Sequence, residues 1–112
     1  MKVNGKLGIE AVNLKVNRSI IIDSVNNNSF EWQVAKSVEE LADLQVNLLR
    51  FRNNSAANEH VCKEIAHAYI QLAILTEMFG VANIQLFIEE RLDHMNSKNK
   101  KLRKKGKIGF GQ

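Results

Sequence analysis

Glu40, Asp43, Glu64 and His67 are the residues of this chain whose types and spacing could do chemistry. Gln33, Lys36, Glu40, Asp43, Asn47 and Arg50 follow one another at intervals of three and four, which places them on one face of a helix, with Glu39 beside it. His60, Glu64, His67 and Gln71 repeat that spacing in a segment that is otherwise apolar nearly all round, through Ile65, Ala66, Ala68, Tyr69, Ile70, Leu72, Ala73, Ile74 and Leu75. A carboxylate among such residues is expensive to bury unless a cation, a metal or an ordered network faces it. If the two stripes face each other, Glu40, Asp43 and Glu64 converge, with His67 one turn from Glu64. Three oxygen donors plus water suit magnesium or manganese. Such an ion bridges phosphate oxygens and orients or deprotonates an attacking water, which is the chemistry of phosphoryl transfer or pyrophosphate release. The plainer account is a solvated Glu-x-x-Asp face and a structural Glu-x-x-His pair, and spacing alone does not choose between them.

The surrounding residues carry the same double reading. Lys36 and Arg50 flank the carboxylate stripe and either contact phosphates or pair with neighbouring charges on the helix. Trp32 and Phe30 precede it and either stack on a nucleobase or pack in the core. His60 and Cys62 point to opposite sides of a helix and make a poor metal pair. Cys62, the single cysteine, cannot form an internal disulfide and reads as a small buried hydrophobe. Nucleophile triads, phosphate loops and zinc-finger spacings are all missing from the sequence.

The elements that must position these side chains are helical. Ile20-Ile21-Ile22 behind a candidate Ser19 cap predicts a short first helix over 19–25, ended by Asn26-Asn27-Asn28-Ser29. Val34, Val38, Leu41, Leu48 and Leu49 predict an amphipathic helix over 30–52, without Pro or Gly. After Asn53-Asn54-Ser55, a third helix is expected over 56–79, with Gly80 as its stop and with its apolar second half buried. Asn83 is the expected cap of a fourth helix from Ile84, whose packing residues would be Leu86, Phe87, Ile88, Leu92 and Met95. Val12-Asn13-Leu14-Lys15-Val16 alternates as a strand or extended arm would. The expected organisation is an N-terminal arm over 1–18, an all-α bundle over 19–97 and a basic tail over 98–112.

The 112 residues are 45% hydrophobic and 25% charged, as in a folded domain. The net charge of +4 comes from the tail, where Lys98, Lys100, Lys101, Arg103, Lys104, Lys105 and Lys107 supply seven positive charges; subtracting 7 from +4 leaves the body at −3. A basic appendage on an acidic body argues against a nucleic-acid-binding face, although the tail could hold a polyanion loosely. No apolar run is long enough to span a bilayer and no apolar segment follows Met1-Lys2-Val3-Asn4-Gly5-Lys6, so a cytoplasmic location without a membrane is expected.

Several segments together resemble one family. These are Ile21-Ile22-Asp23, Phe30-Glu31-Trp32-Gln33, Val38-Glu39-Glu40-Leu41-Ala42-Asp43-Leu44, Lys63-Glu64-Ile65-Ala66-His67-Ala68-Tyr69-Ile70 and Phe79-Gly80-Val81. They look like the MazG-like proteins of the all-α nucleoside triphosphate pyrophosphohydrolase group, over residues 19–97. The resemblance implies a MazG-like four-helix bundle that hydrolyses an NTP or dNTP to monophosphate and pyrophosphate with magnesium, or with manganese. It also implies metal ligation by Glu40, Asp43, Glu64 and His67, with Glu39 or Glu40 as general base. Arg91 and His94 fall where such proteins tend to carry phosphate-holding basic residues; the alternative is a surface ion pair with Glu90 or Glu77. Two positions depart from the family's Glu-Glu-x-x-Glu and Glu-x-x-Asp pattern. Asp43 stands for a Glu, and His67 stands for the Asp, offering a nitrogen that prefers manganese, iron or zinc. A member that has lost hydrolysis and binds a nucleotide or protein partner is the competing expectation. Resemblance and the apolar third helix together point to a homodimer or homotetramer with that helix at or near the interface.

Overall fold

The computed structural model describes residues 18–54 and 56–106, all of its regular structure being helical. The expected N-terminal strand or arm lies outside the described residues. Four helices follow in order: α1 (Arg18–Asn27), α2 (Phe30–Arg52), α3 (Asn58–Phe79) and α4 (Val81–Lys105). No single helix among the described residues is long and apolar enough to cross a membrane. The chain divides into two compact units, Met1–Met78 and Phe79–Gln112, and each is taken by itself.

In the first unit, α2 starts where Ser29 caps it. The Ser29 hydroxyl accepts a hydrogen bond from the Trp32 amide at 3.1 Å, meeting one of the orphan donors of the first turn. Glu31 in the first turn and Arg50 and Arg52 in the last suit the helix dipole. Asn53 closes the helix, and Asn54 takes a left-handed φ of 60°, which Asn tolerates better than most residues. Ser29→Ala is expected to cost about 1 kcal/mol and lower the melting temperature by roughly 5 °C, as read by thermal circular dichroism.

Helices α2 and α3 run antiparallel, since Gln33 meets Gln71 while Glu40 meets Glu64 and His67. Between them lies a polar seam. Gln71 Nε2 donates to Ser37 Oγ at 2.9 Å and to Gln33 Oε1 at 3.2 Å. The Ser37 hydroxyl donates to the Gln33 carbonyl at 2.8 Å, and Gln33 Nε2 donates to the Ser24 carbonyl of α1 at 2.8 Å. Each donor in this chain of contacts has an acceptor, so burying Gln33, Ser37 and Gln71 is tolerable. Arg18 and Glu77 tie the start of α1 to the end of α3 at 2.9 Å. The buried apolar residues are Ile21, Val61, Ala68 and Ile74.

The second half of α3 is covered on one side only: Ala68, Gln71 and Ile74 are buried, while Ile65, Ile70 and Leu72 stay at least 38% exposed in the single chain. Two expectations are corrected. Cys62 is exposed, its thiol donating to Asn58 Oδ1 at 3.3 Å in the first turn of α3. Asn83 does not cap α4, which begins directly at Val81 after Gly80, whose φ of 114° suits a residue without a side chain.

In the second unit, α4 continues to Lys105, so the cations from Lys98 to Lys105 are helical. Lys and Arg are good helix formers, and Arg103, Lys104 and Lys105 in the last turn face the negative end of the dipole. No residue of α4 is buried, and Ile84, Phe87, Ile88, Arg91 and Leu92 line a shallow groove along it.

Candidate metal centre

The inward stripes of α2 and α3 bring Glu40, Glu64 and His67 together. One donor atom from each lies within 4.8 Å of the other two. His67 Nδ1 stands 3.8 Å from Glu40 Oε2 and 3.9 Å from Glu64 Oε2. The side chains of Glu40 and Glu64 are mostly covered, at 16% and 13% exposure, while His67 opens to solvent at 58%. Glu64 Oε2 is wholly buried without a hydrogen-bond donor, since 3.9 Å from the imidazole is beyond hydrogen-bond reach.

Glu40 is held from its other side. Lys36 Nζ lies 3.2 Å from Glu40 Oε1 and 3.8 Å from Glu39 Oε1, one turn back on the same helix. The hydrogen bond to Glu40, then the charges of Glu39 and Glu40 and, more weakly, Asp43, hold the Lys36 ammonium above the ordinary lysine pKa. Lys36 therefore stays charged at physiological pH and compensates one of the two buried carboxylates. Among the described residues no lysine or arginine pairs with Glu64, whose nearest basic group is the His67 imidazole at 3.9 Å.

A divalent ion would answer that imbalance. Donors sharing one ion at bond lengths of about 2.0 to 2.5 Å sit about 3 to 4 Å apart, close to the separations here. Two carboxylate oxygens and an imidazole nitrogen fit manganese, iron or zinc better than magnesium, which favours oxygen alone. The exposed His67 side leaves room for water or a phosphate oxygen.

Each of the other expected site residues has its own surroundings. Asp43 is exposed and is not in the three-residue group; three residues on from Glu40 it is turned about 60° around α2. Its carbonyl accepts from Asn47 Nδ2 at 2.8 Å, and Asn47 Oδ1 is a second buried acceptor without a donor. Glu39 is an exposed carboxylate beside Lys36. Trp32 is 49% exposed and so is not a core residue of this chain. Arg91 and His94 are exposed on α4. Ser37, absent from the expected stripe, joins the polar seam beside this group, and its spacing of four from Gln33 is the signal for it in the sequence. Comparison with family profiles, curated proteins and solved structures finds no match to this chain.

Proposed function

We propose that this chain is a metal-dependent nucleotide pyrophosphohydrolase with a MazG-like helical fold, splitting an NTP or dNTP into monophosphate and pyrophosphate. The observation that carries the reading is Glu64 Oε2, buried without a donor and facing Glu40 and His67. A divalent ion at that place supplies neutralisation of phosphate charge and a more acidic water. Glu40, Glu64 and His67 would bind it, with Asp43 available one turn along. Lys36 holds Glu40 in position and keeps its second oxygen turned to His67. Glu39, exposed beside the group, takes the proton as water oxygen bonds to phosphorus and the phosphoanhydride bond to pyrophosphate breaks. The half-exposed Trp32 ring is the candidate to stack on a base, and Arg91 and His94, exposed on α4, remain the resemblance's candidates for phosphate contact.

The test is pyrophosphate release by the purified chain across NTPs and dNTPs with magnesium, manganese or chelator. Release is expected with manganese above magnesium. Silence across the panel, from protein shown to be folded, would sink the enzyme reading. His67 favours a second reading, in which the same fold binds a nucleotide or protein partner without turnover, because a histidine here weakens magnesium binding. His67→Asp separates the two: it should raise the magnesium-to-manganese activity ratio about tenfold or more if the remaining ligands are competent. No gain in either metal would support the binding module.

A further inference from the structure

Helix α2 is polar towards α3 and apolar away from it. Gln33, Ser37, Glu40 and Asn47 occupy its covered side, whereas Val34, Val38, Leu41 and Leu48 are exposed, Val38 at 64% and Leu48 at 46%. Glu31, Val34, Val38, Leu41, Gln45, Leu48 and Arg52 succeed one another at alternating intervals of three and four, so they form one stripe along the full length of the helix. Val38, Leu41, Ala42, Leu44, Gln45 and Leu48 shape a shallow groove in it. A contiguous apolar stripe of this kind, edged by polar residues, marks an interaction surface.

The charges at its ends identify the occupant. Glu31 lies in the first turn and Arg52 in the last, and neither has an ion-pair partner among the described residues. Leu41 stands midway between them. We infer that the outward face of α2 is a two-fold interface with a second copy of this chain, the two α2 helices packed antiparallel and centred on Leu41. About that centre Val34 meets Leu48 of the second copy, Val38 meets Gln45, and Glu31 meets Arg52 twice over. Leu41 meets itself. A parallel pairing would set Glu31 against Glu31 and Arg52 against Arg52, and would align the helix dipoles unfavourably. The stripe is therefore complementary to its own copy in one direction only. The third helix, expected at the interface from its apolar run, lacks such paired end charges along its outward stripe of Cys62, Ile65, Tyr69, Leu72 and Thr76.

The experiment uses the full chain with Cys62→Ser as background. Sedimentation should show a dimer, and Leu41→Cys should cross-link to itself on oxidation into a covalent dimer, whereas Val46→Cys, on another side of α2, should not. Glu31→Arg and Arg52→Glu should each weaken the dimer at least tenfold, and the double variant should restore it. Both substitutions oppose the helix dipole, so lost helix stability would make the double variant the worst of the three, and only pairing across the two-fold makes it better. A monomeric wild type, equal cross-linking at 41 and 46, or a double variant weaker than either single one would overturn the inference.

Discussion

Glu64→Gln is expected to lower metal-dependent pyrophosphate release by about 100-fold or more, the loss of roughly 3 kcal/mol of transition-state stabilisation. The substitution keeps the side chain's size, removes its charge and turns one carboxylate oxygen into a hydrogen-bond-donating amide nitrogen. Because Glu64 Oε2 is buried with no donor, the apo protein should be no less stable for the change, and its melting temperature should hold or rise. Manganese at 100 times its dissociation constant should stabilise the wild type by about 2.7 kcal/mol, and that shift should vanish in Glu64→Gln. The pairing of equal or greater apo stability with lost metal response is what separates a ligand from a structural carboxylate. A clear drop in apo stability with an intact metal-induced shift would assign Glu64 to the fold and remove it from the site.

Gln71→Leu should be the most damaging single change to the first unit, costing about 2 to 4 kcal/mol in denaturant unfolding. It leaves Gln33 Oε1 and Ser37 Oγ without the donor they share, in a place water does not reach. Replacing all three polar residues, as Gln33→Leu, Ser37→Ala and Gln71→Leu together, should recover at least half of that loss, since no buried acceptor of the network then lacks a partner. Ser24 keeps its Asn28 side-chain donor at 2.9 Å in that variant. A triple variant less stable than the single one would show that the seam contributes more than the satisfaction of its own polar atoms.

Helix positions were largely legible beforehand. Ser29 before an apolar period, the Asn53-Asn54 break and Gly80 bound α2 and α3 to within two residues. Asn83 misled because a cap-forming residue type next to a glycine competes with the glycine's own freedom to start the turn. The cations from Lys98 read as a tail by composition, although the same residues are good helix formers with favourable charge at a helix end.

Residue spacing alone determined that the described part of the chain is helical and that Glu40, Glu64, His67 and Gln71 sit on helical stripes able to meet. The helix period is a local property, so neighbours on one face follow from the order of residues. Which stripe turns inward was decided by tertiary structure. Apolarity argued for burying Val38, Leu41, Ile65 and Leu72, yet α2 and α3 meet through Gln33, Ser37 and Gln71 and leave those apolar residues outside. The reason is that a seam whose donors and acceptors match can be buried at little cost, and an apolar face can be satisfied later by another surface, a choice no single helix records. That same turn of the helices joined His67 to Glu40 and Glu64 and left Asp43 at the edge.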